Sequence, residues 1–359
     1  MIDDLKFKSS FFSFLRSDKY TNLLLFFFFF LSILFIFNKV TDNLFLEQKF
    51  HSRGDSNTQK DIVSEKNFFY DSNIFQPATN LKSDRNFQSF NGGETRHKLR
   101  WFYRDIESKI YKSIFQIIGT QKLFVYTIIN TSYLFLSFLF TFLTISFYKK
   151  KYSTEVLIIS GFFYLLLISL SISTNIQSIY TIPEVFFISV GIYFAAISNI
   201  IIFLVPLFFA VINRESGIAL SFVYLILNHK NKLSYFIPII SVFILLFVNF
   251  DLITNKNTYN LSTYFPIKEG YSDSMLSNAE MFVFILYLLN FSIIFYVIYI
   301  YKKNDYKFFQ FSLISLLYFL VAIFGTNMTN VYSLLLLAPS LTFLFVISFS
   351  NIKQINNQN

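Results

Sequence analysis

Four consecutive residues, Asn213-Arg214-Glu215-Ser216, interrupt an otherwise apolar stretch that runs from Pro183 to Asn228. An Arg-Glu pair between two apolar runs is costly unless it sits at an interface or lines a polar cavity. Two more polar groups accompany it. His51-Ser52-Arg53-Gly54-Asp55 follows the first apolar run, and Glu94 to Trp101 holds Arg96, His97, Lys98 and Arg100. Glu184 opens the central stretch. Arginines grip a phosphate or pyrophosphate bidentately, and a carboxylate serves as general base toward an acceptor hydroxyl. Such a set suits transfer of a group carried on a lipid phosphate. Each member also has a plainer reading. Arg53-Gly54-Asp55 reads as a turn, and Arg96 to Arg104 as a basic helix resting on lipid phosphates. Arg214 and Glu215 read as caps of two helices, and Glu184, just after Pro183, as an acid at a favourable helix N-terminus.

The elements that must carry these residues are apolar. Of 359 residues, 54% are hydrophobic and only 14% charged, against about 25% charged in soluble domains. Several apolar runs approach or exceed the ~20 residues that cross a bilayer. There is no cysteine, so disulfides, thiol catalysis and Cys-ligated metals are excluded. The three histidines lie far apart, without zinc spacing. No residue pattern requires a cofactor, and no ligand spacing supports the divalent ion that phosphate chemistry would accommodate. No P-loop is present, which argues against direct ATP use. The net charge of +9 suits anionic headgroups and phosphate-bearing substrates, and agrees equally with cytoplasmic lysines. The 52 phenylalanines read as coding bias rather than as chosen aromatics.

In chain order, residues 1–21 form a cytoplasmic N-terminal segment, and 22–38 an uncleaved first span. Residues 39–121 form a long extracytoplasmic loop, and residues 122–350 a multispanning domain. Residues 351–359 form a cytoplasmic tail. In the loop, Phe102, Ile106, Ile110, Ile114 and Ile117-Ile118 recur at helical spacing, which predicts an amphipathic helix in the headgroup plane. Between 184 and 228, three short crossings of about 184–196, 198–212 and 216–228 satisfy the charge pattern, with one crossing plus a re-entrant segment as the alternative. Further spans are expected at about 124–148, 155–173, 235–250, 281–300, 308–325 and 331–349. The whole is an all-α polytopic protein of about ten transmembrane helices, with both termini cytoplasmic.

Pro183-Glu184-Val185-Phe186-Phe187, Gly191-Ile192-Tyr193 and Asn213-Arg214-Glu215-Ser216-Gly217-Ile218 together resemble a pattern in polytopic bacterial membrane proteins of the GT-C glycosyltransferase type. There, an Asn-Arg-Glu-Thr segment ends one short helix and opens the next, the first outer loop carries an acid, and a basic segment precedes the second span. Val331-Tyr332 to Ala338-Pro339 is similar to a C-terminal family stretch. This chain has Ser216 in place of Thr, and Asn and Thr at 326–330 where relatives often carry an acid and an arginine. The resemblance implies a GT-C-like fold in the bacterial inner membrane, and transfer of a sugar from a polyprenyl-phosphate donor in envelope glycan synthesis. Asp55 would be the base. Arg100 and Arg214 would hold the donor phosphate, and Glu215 would orient Arg214 or the acceptor. Asn213, Glu184, Arg96 and His97 would complete the substrate contacts. The expected partners are membrane lipid and the lipid-linked donor, without nucleic acid. An O-antigen or exopolysaccharide polymerase is a second reading, although its largest outer loop usually falls in the second half of the chain. A transporter or flippase is a third, against which stand the missing internal repeat and the charges kept at span ends.

Overall fold

The computed structural model describes residues 19–51, 102, 106, 108–118, 122–148, 154–172, 181–248, 306–325 and 333–356. The described residues are helical or in short turns, with no strand among them. In chain order the helices are α1 (Lys19–His51), α2 (Ser108–Ile118), α3 (Lys122–Tyr148), α4 (Thr154–Ile172), α5 (Thr181–Ala196), α6 (Ile200–Asn213), α7 (Ile218–Asn228), α8 (Ile237–Val248), α9 (Tyr306–Gly325) and α10 (Ser333–Asn356). Single 3-10 turns at Glu215–Gly217 and Lys232–Phe236 join α6 to α7 and α7 to α8.

α5 is the centre. It is apolar on every side, and a helix of that kind has to be enclosed. α3 and α6 pack most closely on it, with α7 and α10 beside them. Nearly every α5 side chain from Thr181 to Ala196 is buried, Phe186 and Phe194 only partly. Gly191 lets α7 approach, because a methyl group there would meet the Leu220 side chain. α1 lies outside, against α3 and α4. Its Leu25, Phe28, Ser32, Ile36 and Val40 face inward at three- and four-residue spacing, while Phe26, Phe27, Phe30, Leu31 and Leu34 are exposed. The phenylalanines are used in packing: Phe138 and Phe142 sit 4.7 Å apart beside Phe28 and Phe29, and Phe311 stacks on Phe343 at 3.6 Å.

Among the described residues, Leu24–Thr41 within α1 and Thr127–Tyr148 within α3 are long and apolar enough to cross a membrane. The described apolar stretches of the other helices run 10–17 residues. The three helices expected between residues 184 and 228 are present as α5, α6 and α7, each within a few residues of its expected limits. α7, with 11 residues, rises only about 16 Å, roughly half of a hydrocarbon core. α1 departs from its expected limit. It continues through the polar Thr41–His51 segment rather than giving way to a loop at residue 39. That segment has lost apolar character, but it contains no Gly or Pro to stop a helix. The amphipathic segment is helical from Ser108 to Ile118, and Phe102 and Ile106 are helical as well. Phe102 is buried and Ile106 and Ile114 pack on the core, whereas Ile117 is 83% exposed. Residues 249–305, with the expected span at 281–300 and the loop before it, lie outside the described residues, as does the 326–330 loop.

Candidate functional site

The interruption at residues 213–217 is a built turn. α6 ends at Asn213, and Arg214 follows in extended conformation, with φ −159° and ψ 148°. Its backbone N–H still donates to the Ala210 carbonyl at 3.0 Å. Glu215–Gly217 then forms the 3-10 turn that leads into α7. Gly217 N–H donates to the Arg214 carbonyl at 2.9 Å, and its α-carbon lies against the Ala210 peptide. A Cβ at 217 would come within 2.3 Å of that carbonyl, so glycine is required by close approach. Apolar helix formers dominate on both sides, and the break falls where Asn, Arg, Ser and Gly occur in succession.

Arg214 caps α6 through its backbone, but its side chain does not stay at a solvated rim. It is 9% exposed and turns inward to α5. There Nη1 donates to Glu184 Oε2 and to the Thr181 hydroxyl, both at 3.3 Å. Thr181 and Glu184 are three residues apart, so they share one face of the first turn of α5. Glu184 is 0% exposed. Its other oxygen, Oε1, accepts a hydrogen bond from the Ser216 hydroxyl. One buried carboxylate therefore holds two residues of the turn, from another helix thirty positions away in sequence. The start of α5 favours the negative charge. Asn213 is fully buried in the same turn.

A buried ion pair carries a desolvation cost, so it is weak evidence for stability. Apolar side chains of similar size would close the two helix ends at no greater cost. The pair, with two hydroxyls on it, makes a charged and hydrogen-bonded corner inside an apolar bundle. Arrangements of that kind bind anions or order a reacting group.

Phe102 connects this corner to the segment before it. Its ring meets Phe187 edge-on at 5.1 Å and Phe209 at 5.7 Å. Phe187 lies one turn from Glu184 on α5, and Phe209 about one turn before Arg214 on α6. Phe102 thus lies beside the two helices that form the corner.

Glu184, Asn213 and Arg214 are therefore brought together. The backbone of Glu215 lies in the turn, and its side chain is outside the described residues. So are Asp55, Arg96, His97 and Arg100. Sequence reasoning missed two members. Ser216 was visible inside the motif but carried no role. Thr181, one turn before Glu184, fell in the short polar outer loop expected at 174–182. Tyr318 on α9 is 1% exposed, and its hydroxyl has no hydrogen-bond partner.

Deeper in the bundle, Ser137 joins α3 to α4 and α5 through Tyr164 at 2.5 Å and Ser189 at 2.6 Å. A gap beside this network, lined by Thr141, Thr144, Ser189, Phe311 and Phe343, is too tight to admit a water molecule. Among the described residues no group of three or more His, Asp or Glu side chains is placed to hold a metal ion.

Compared with known proteins, the chain matches no family model, no curated protein and no solved structure at a significant level.

Proposed function

We propose that the chain is a GT-C-like membrane glycosyltransferase that transfers a sugar from a polyprenyl-phosphate-linked donor. The observation that carries this reading is the buried Glu184–Arg214 pair, with Thr181 and Ser216 on it, at the turn between α6 and α7. The large exposed apolar surface of α1, α6 and α8, including Phe27, Phe30, Ile201, Val205, Phe243 and Phe247, supports contact with lipid. On this reading the protein lies in the bacterial inner membrane, with about ten spans and both termini cytoplasmic.

In the proposed reaction an acceptor hydroxyl oxygen attacks the anomeric carbon of the donor sugar. The bond from that carbon to the phosphate oxygen breaks, and the electron pair leaves on polyprenyl phosphate. Asp55 takes the acceptor proton. Arg214 and Arg100 stabilise the charge that grows on the leaving phosphate. Arg96, His97 and Asn213 contribute further substrate contacts, and Glu215 orients the acceptor or Arg214. Phe102, two residues after Arg100 in sequence, packs beside α5 and α6, which supports this assignment.

The test is transfer in proteoliposomes that contain the full chain and a panel of polyprenyl-phosphate sugars. Wild type is expected to release polyprenyl phosphate, and Arg214→Ala and Asp55→Asn are expected not to. Failure of wild type to turn over any donor in the panel would sink the reading.

A further inference from the structure

We propose that Glu184 is a positioning residue, which holds the Arg214 guanidinium and the Ser216 hydroxyl in place for an anionic ligand without touching that ligand itself. The inference rests on the reading of this corner as a phosphate-holding site, and it changes what Glu184 does there.

The geometry points to it in three ways. First, Glu184 is 0% exposed and Arg214 9%, so of the two only the arginine has surface left to offer a ligand. Second, both carboxylate oxygens are engaged with the turn, one by Arg214 and one by Ser216. Third, Arg214 is held at both ends. Its backbone is held by Ala210 on one side and by Gly217 on the other, and its Nη1 by Glu184 and Thr181. A guanidinium already ordered in this way loses less freedom when it binds a phosphate. A buried carboxylate against a phosphate oxygen would instead set like charges together.

The proposal predicts a sign that electrostatics alone would reverse. Glu184→Gln removes a negative charge and leaves the site more positive. If Glu184 were only a neighbouring charge, an anion would bind tighter. If Glu184 positions Arg214, the anion binds more weakly despite the added positive charge.

The probe is decaprenyl phosphate, titrated against the full chain in nanodiscs by native mass spectrometry, with decaprenol as the unphosphorylated control. Glu184→Gln is expected to weaken phosphate-dependent binding about tenfold. In an Arg214→Lys background, where the planar fork is gone, the same change is expected to add no further loss. Binding by Glu184→Gln as tight as wild type, or tighter, overturns the proposal, and so does an equal loss in the Arg214→Lys background. Should Glu184→Gln fail to fold, Glu184→Asp decides. It keeps both charges and draws the carboxylate back from Nη1 and from the Ser216 hydroxyl. A several-fold loss supports positioning, and unchanged binding overturns it. If wild type does not distinguish decaprenyl phosphate from decaprenol, the phosphate-site reading falls and the positioning role falls with it.

Discussion

The two ends of the α5–α6–α7 unit solve the same problem with different chemistry. Each end closes a sharp turn between short apolar helices. At the far end, Asn228 is enough. Its amide donates to the Ala195 carbonyl at 2.8 Å, and its Oδ1 accepts from the Ser198 hydroxyl at 2.6 Å. Ser198 takes the left-handed conformation, with φ 61°, and Asn199 caps α6 by accepting from the Ile202 N–H. No charge is buried in that clamp. At the near end, the turn is held by Glu184 and Arg214, both buried, with two hydroxyls added. A neutral amide therefore closes a turn in this bundle without the desolvation cost of two ions. The charged end has more chemistry than closure requires, which is the physical reason for placing function there.

Five variants break or sharpen this contrast. The largest effect is expected from Glu184→Ala, which leaves Arg214 as an uncompensated buried cation. Removing one partner of such a pair costs about 3–5 kcal/mol, read as a large fall in melting temperature in detergent. Replacing both partners, as Glu184→Leu with Arg214→Met, is expected to restore most of that stability while abolishing transfer. If the double variant stays as unstable as Glu184→Ala, the pair is needed for the fold and the contrast collapses.

Gly217→Ala comes next. The new methyl group meets the Ala210 peptide, and overpacking of this kind costs about 1–3 kcal/mol, here toward the upper end because backbone has to move. Asn228→Ala tests the neutral end. It removes both clamp bonds and is expected to cost about 1–2 kcal/mol, with transfer unchanged once the protein is folded. Loss of transfer at full stability would show that the far end is not merely structural. The smallest effect belongs to Tyr318→Phe. The phenol hydroxyl is buried without a partner, so its removal is expected to leave thermal stability unchanged or raise it by about 1 kcal/mol. A clear drop in melting temperature would mean that the hydroxyl has a bonding role.

The break between α6 and α7 was legible because polar residues and a glycine interrupt an apolar run, and local composition decides where a helix stops. The limits of α5 and α6 were legible to within three residues, because the apolar run and the charge pattern left room for three short helices there. The extension of α1 to His51 was not. Loss of hydropathy after Val40 resembles loss of helix, but helix formation depends on propensity, which Leu44, Glu47, Gln48 and Lys49 retain. The pairing of Arg214 with Glu184 was not legible, since the carboxylate 3.3 Å away lies thirty residues earlier in the chain. A helix hairpin brings such distant residues together.

By itself the sequence determined an all-helical chain, the apolar character of its helices, the position of the polar break and the set of residue types present there. These follow from composition and local backbone preference, which act over a few residues. Only the tertiary structure decided that Glu184 lies against Arg214 and Ser216, that Thr181 joins them, and that Phe102 packs beside them from another part of the chain. Those contacts depend on how α5 is enclosed by its neighbours, and burial of a helix on all sides is a property of the whole bundle.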